Sequence, residues 1–319
     1  MNTTNLFQHC INGFQQRIIL TDGQLNFLAG FIILLIPVVI ATNVCLAWSL
    51  YKTKLLNSRS RWYIFLLCLS DLAVGLVTLP LYLVLFTKLR RRLNCWFEYA
   101  TAFVSQWTFN TSLYLIALIS FHRWLKISPE LRNRSYKGFK QSVMSGAIAD
   151  FLVVLCFVLP VFDGLIGSAV FGYHQNTPLI LAIKLKGLFL FLVIYVLYYK
   201  LYNKVTKRAR GKTLRGGKKV DTKSWYEKQL IKTIILVLGI MAIAFFPHVI
   251  MDTWTTCYTH FKKTVSPQWV RFGFYVSTIF VYVMCIADAL IFIYRSKKIK
   301  RYIADQWCGL LKCRQNSNV

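Results

Sequence analysis

Apolar positions in this chain run in long blocks, not at the short spacing of a half-buried strand or an amphipathic helix. Residues 27–49, 99–121 and 233–251 contain no Asp, Glu, Lys or Arg. Residues 62–86, 141–162 and 272–294 contain one charge each, Asp71, Asp150 and Asp288. A hydrocarbon layer of about 30 Å is crossed by about 20 helical residues, so each block predicts a membrane span. A seventh block, 178–199, is weaker because Lys184 and Lys186 lie near its start; long lysine stems can carry such charges to an interface. The pattern predicts an all-α membrane protein: a seven-transmembrane helix bundle over 27–294. An extracellular segment, 1–26, precedes it, and a cytoplasmic amphipathic helix and tail, 295–319, follows.

Composition agrees, with 56% hydrophobic and 16% charged residues. Soluble domains carry about 25% charge. The basic residues then set the orientation. Segments 50–61, 122–140, 200–232 and 295–319 hold 29 of the 39 Lys and Arg, and such loops stay in the cytoplasm. The N-terminus is therefore expected outside, in a multi-pass protein of the plasma membrane. The net charge of +28 follows from this bias and from attraction to anionic membrane lipids. Because the basic runs are juxtamembrane, it does not point to nucleic acid. Residues 1–26 are too polar for a signal peptide, and Asn2 opens a glycosylation sequon. In the tail, Ile299, Tyr302, Ile303 and Trp307 can face lipid. Cys308 and Cys313 follow as candidate lipidation sites.

Buried acids carry the candidate chemistry. A carboxylate inside a membrane is costly and usually has a task. Counting about 1.5 Å per residue from Arg61, Arg123 and Arg295 puts Asp71, Ser112 and Asp288 about 10–16 Å from the inner edge. Oxygen donors at one depth on three helices suit a small hard cation; helix-gluing hydrogen bonds are the plainer alternative. Asp150 is expected at similar depth, hydrogen bonded to a neighbouring helix. An intramembrane metalloenzyme would need clustered ligands, and no HxxxH or HExxH occurs. A transporter or channel using Asp71, Asp150 and Asp288 remains the alternative, though no repeat supports it.

Several motifs then fall in order: Asn43 in "TNVCLAWSL", Asp71 and Pro80 in "LSDLAVGLVTLPLY", "SLYLIALISFHRW", "AFFP" at 244–247, and "DALIF" at 288–292 followed by "IYRSKKIKRYI". Together they resemble the rhodopsin-like G-protein-coupled receptors over about 27–307. His-Arg-Trp stands for Asp-Arg-Tyr, Phe245 for the sixth-helix tryptophan, Ala289 for a proline and Phe292 for a tyrosine. The resemblance implies a receptor that passes an extracellular small-molecule or peptide signal to a heterotrimeric G protein, with arrestin as a further partner. It implies an allosteric sodium ion at Asp71, Ser112 and Asp288, and no other cofactor. It also implies a switch. Arg123, ending the third span, is tied at rest to Glu227, twenty residues before Pro247. Helix six then swings out about Pro247, whose missing N–H permits a bend. His122 restrains Arg123 less than an acid does. Tyr198, with Tyr195 as second candidate, is the fifth-helix partner.

By the same resemblance, the ligand pocket comprises Ser105, Gln106, Phe109, Phe245, His248, Asp252 and Tyr282. Ser105 stands where amine receptors carry an aspartate, and Tyr282 where visual pigments carry their lysine. Asp252 either meets a cationic ligand or pairs with Lys184 or Lys186. The family's usual outer disulfide is absent: residues 163–177, read as the second outer loop, contain no cysteine, and Cys95 lies three residues early. Cys10–Cys257 and Cys95–Cys257 are the remaining pairings. These departures resemble the melanocortin, adenosine and lipid receptor branch.

Overall fold

The computed structural model describes residues 20–87, 95–127, 147–173, 177–213, 236, 239–255 and 267–316. All regular structure among them is helical. We number the helices α1 (Asp22–Lys52), α2 (Arg59–Phe86), α3 (Cys95–Ile127), α4 (Ala147–Tyr173), α5 (Thr177–Thr213), α6 (239–255), α7 (Gln268–Arg295) and α8 (Lys297–Asn316). Five of them, α1 to α4 and α7, are long and apolar enough to cross a membrane.

The residue distribution is inverted relative to a water-soluble protein. Leu34 and Ile243 are 71% and 72% exposed, while Asn43, Asp71 and Thr78 are essentially inaccessible. An apolar perimeter around a polar interior is what lipid as solvent requires. Two apolar clusters fill the rest of the interior. One joins α1, α2 and α7 through Leu28, Ile32, Val39, Leu79 and Ile279. The other draws on all eight helices, among them Leu67 of α2, Leu115 and Ile119 of α3, Ile194 of α5 and Phe245 of α6.

Local chemistry sets the ends and bends that place the polar groups. A capping box starts α1: Thr21 Oγ1 accepts from Gln24 N at 3.3 Å and Gln24 Oε1 accepts from Thr21 N at 3.1 Å. The helix thus begins five residues before the apolar block. In α2, Val74–Thr78 forms a π turn just before Pro80. Proline offers no N–H and crowds the carbonyl four residues back, so the preceding turn widens. Gly75 in that turn lets α1 approach: a Cβ there would lie 2.9 Å from Ile40 Cγ1. α7 is unbroken through Ala289, where the family's proline would interrupt it.

Two expectations are corrected here. The stretch from Asp163, read as an outer loop, is helical to Tyr173, so Asp163 belongs to the bundle. Asp150 is not at mid-depth. It lies in the first turn described for α4, exposed, and forms an ion pair with Arg59, the first residue of α2. Its expected bond to a neighbouring helix is present, but at the foot of the bundle. Asn2 and Glu227 lie outside the described residues, as do the side chains of Cys10, Cys95, Cys257, Cys308 and Cys313.

Candidate functional site

The centre of the bundle holds the expected oxygen cluster. Ser112 on α3 donates to Asp71 Oδ1 on α2 at 3.0 Å, and the Ser112 and Ser70 hydroxyls are 3.1 Å apart. Asp288 on α7 is buried nearby. Asn43 on α1 donates from Nδ2 to the carbonyls of Val39, 3.0 Å, and Cys285, 3.2 Å, which ties α1 to α7. A cavity of about 50 Å³ opens onto Asp71, Ser112 and Asp288. It is roofed by Phe109, Phe245 and Tyr282 and also touches Met241 and Cys285. At roughly 10–15 Å³ per water, that space holds a small ion with a few waters.

Above the cavity lies a second polar layer. The Ser105 hydroxyl is 2.7 Å from that of Tyr282 on α7 and 3.1 Å from that of Tyr82 on α2. One turn below, Thr78 and Thr108 are 3.1 Å apart. Toward α6, Phe245 stacks between Phe191, 4.8 Å, and Phe109, 6.2 Å, by ring centroids. The His248 ring sits against Phe109 and Phe274, with Nδ1 3.4 Å from the Thr278 hydroxyl.

At the C-terminal end of α3, the Arg123 guanidinium lies over the Phe292 ring, 5.5 Å from its centroid. His122 is buried edge-on against Tyr63 at 5.4 Å. Tyr198 on α5 is buried and Tyr195 is 49% exposed, so Tyr198 is the residue of the two that faces the bundle.

Residues 42–292 match the description "7 transmembrane receptor (rhodopsin family)". The chain belongs to the rhodopsin family of seven-transmembrane receptors. It is a multi-pass membrane receptor of signal transduction with a seven-helix bundle, and not an enzyme. Among similar proteins, trace amine-associated receptor 365 of Petromyzon marinus is 23% identical over 286 residues, covering 81% of this chain and 75% of that one. Adenosine receptor A2b of Gallus gallus is 22% identical over 313 residues, covering 86% of each. The two identities are nearly equal and do not single out a branch of the family.

Most of the receptor's expected pocket converges. Ser105 and Tyr282 share a hydrogen bond, and Phe109, Phe245 and His248 pack together. Among the described residues, Gln106 shows no hydrogen bond or ring contact with them. It follows Ser105 on α3 and is exposed. Asp252 is half-buried on α6, but Lys186 is not its partner: Lys186 pairs with Asp163 on α4 and lies over Tyr114 at 5.8 Å. Lys184's side chain is outside the described set. Pro247 is an exposed position within α6. Tyr82 escaped the sequence reading, although it follows Asp71 by eleven residues, about three helical turns, and so returns to the same face. The Asp163–Lys186 pair had no comparable signal, because its residues sit on different helices with no motif linking them.

The central cluster also fits a cation by its unmet acceptor oxygens. Asp71 Oδ2 and Asn43 Oδ1 are buried without a hydrogen-bond partner among the described residues. Buried oxygens in that state normally find a partner, an ion or a water.

Proposed function

We propose that this receptor, at the plasma membrane with its N-terminus outside, couples an extracellular ligand to a heterotrimeric G protein through outward movement of α6. The observation that carries the reading is Arg123 held over Phe292 at the inner mouth of the bundle, directly below the buried acids. A guanidinium needs a partner in so apolar a setting. At rest it has the ring of α7, with Glu227 as a second restraint from the segment before α6. When α6 moves, Arg123 is released to a G protein; arrestin uses the same opening. Stacked Phe191, Phe245 and Phe109 connect α5, α6 and α3, so a ligand that shifts Phe245 moves the helix that carries Pro247.

Asp71, Asp288 and Ser112 hold sodium in the resting receptor. The ion supplies charge neutralisation between two carboxylates that would otherwise repel. The channel reading loses support, because Asp150 stands at the foot of α4 paired with Arg59 and lines no path with the other two acids.

For the ligand, the trace amine relative suggests an amine and the adenosine relative a nucleoside. Ser105, Tyr82 and Tyr282 present hydroxyls with no carboxylate in the cluster, while Phe109, Phe274 and His248 present rings. This set suits a small neutral ligand with a flat ring and a hydrogen-bonding edge. A G-protein dissociation assay in cells, run with nucleosides, amines, lipids and peptides, tests the proposal. Dissociation above that of untransfected cells, lost in Arg123→Glu, is expected. No dissociation with any G-protein subtype, in a receptor shown to be at the surface, overturns it.

A further inference from the structure

Two different kinds of contact hold α5 on two of its faces. Toward α4, Lys186 pairs with Asp163. The same ammonium lies 5.8 Å over the ring of Tyr114 on α3, so α3, α4 and α5 meet at one charge. Toward α6, Phe191 stacks on Phe245 at 4.8 Å and meets Phe246 edge-on at 5.4 Å. Positions 186 and 191 are about 7.5 Å apart along the helix and about 140° apart around it. Where the ammonium is fixed, the height and direction of the ring are fixed as well.

The pair lies in the apolar part of the bundle. Asp163 falls within the span Ile148–Ile166, on a helix whose neighbouring Leu159 and Phe162 are exposed to the lipid side. The Lys186 nitrogen and Asp163 Oδ2 are both sealed from the surface, so neither charge turns to water. Separating them leaves two bare ions in hydrocarbon, which is costly.

The packed helices offer Lys186 no second anion. No Asp or Glu occurs in 99–127 or 177–213, and 147–173 contains only Asp150 and Asp163. Asp150 is about 20 Å further along α4 and is taken by Arg59. Position 184 lies about 200° around α5 from position 186, so a slide of α5 does not bring it to Lys186's place. Apolar contacts between helices tolerate small slides, because lipid tails replace them on equal terms. The charge pair admits one register of α5 where apolar contacts alone admit several.

We propose that Asp163 and Lys186 are positioning residues: they pin the register of α5 on α4 and thereby set Phe191 against Phe245. The step from Phe245 to signalling rests on the proposed movement of α6; the register itself does not.

The test uses the purified full chain in phosphatidylcholine nanodiscs. Ketone-bearing amino acids at Val158 on α4 and Val196 on α5, both exposed, carry spin labels and spare the cysteines. Pulsed electron resonance is expected to give one narrow distance in the otherwise unaltered chain. Asp163→Leu/Lys186→Met removes both charges and leaves neither unpaired; its distances are expected to spread by up to one helical turn, about 5 Å. Asp163→Asn/Lys186→Gln, nearly unchanged in shape, is expected to spread likewise and keeps the test open should the first variant fail to fold. The exchanged pair, Asp163→Lys/Lys186→Asp, returns the narrow distance, which a role in packing alone would not restore. In cells, G-protein dissociation is expected to fall in the uncharged variants and to recover in the exchanged pair. An unchanged narrow distance in the uncharged variants, or an exchanged pair as broad as they are, overturns the proposal. The distances are read without a G protein, so a receptor that couples to none sinks the functional reading while the register still stands or falls on its own measurement.

Discussion

Arg123 rests on the face of Phe292, with its guanidinium carbon 5.5 Å from the ring centroid. The restraint links α3 to α7, at a position where the family's tyrosine would offer a hydroxyl edge. A ring face attracts a cation by its quadrupole, with about 1 kcal/mol typical of a partly desolvated pair. Phe292→Ala is therefore expected to raise ligand-independent G-protein dissociation about fivefold. Phe292→Tyr keeps the ring and is expected to stay near the wild-type level. A basal signal in Phe292→Ala equal to wild type, at matched surface expression, would show that the ring does not restrain Arg123.

Charge at the same mouth gives a second expectation. Arg123→Glu abolishes signalling, and Glu227→Ala raises its basal level. The comparison is made by the same dissociation assay. If Glu227→Ala leaves the basal level unchanged while Phe292→Ala raises it, the ring of α7 is the sole resting restraint.

The central oxygens predict an ion dependence. A ligand that binds only the folded state stabilises it by mass action. Replacing choline chloride with sodium chloride at constant ionic strength is expected to raise the melting temperature of the wild-type receptor. Asp71→Asn removes the carboxylate that Ser112 hydrogen bonds and is expected to lose that increment. An equal sodium increment in Asp71→Asn would assign the cluster to helix-gluing alone.

Close approach of α1 and α2 supplies a stability test. A Cβ at Gly75 would lie 2.9 Å from Ile40 Cγ1 and 3.1 Å from Val39 Cγ1. Gly75→Val adds a branched side chain to that contact, and overpacking of this kind costs about 2 kcal/mol. Gly30 has open space around its Cβ position, so Gly30→Ala serves as the neutral comparison. Thermal melts of the two purified variants are expected to separate, with Gly75→Val the lower.

The helical architecture was legible because charge-free blocks leave few alternatives in lipid. The Asp71–Ser112–Asp288 cluster was legible because each residue lies a countable number of helical residues from a basic anchor at the inner edge. Asp150 had no such anchor on its own helix: the apolar block over 141–162 hid the fact that its carboxylate is level with Arg59. Asp163 was assigned to a loop because a single acid followed a proline-containing block, while the partner that makes it tolerable, Lys186, comes from α5. Pairing between helices is a property of the packed bundle, and the hydrophobic pattern of one helix does not encode it.

Arg59 and Asp150 clasp the feet of α2 and α4, and Lys298 holds α8 to the last turn of α1. That side of the bundle is thus stapled by charge at the helix ends, whereas the contact described between α5 and α6 is made by the rings of Phe191, Phe245 and Phe246. On the proposed outward movement of α6, the clasped side is the fixed jamb and the ring-packed side the swinging door.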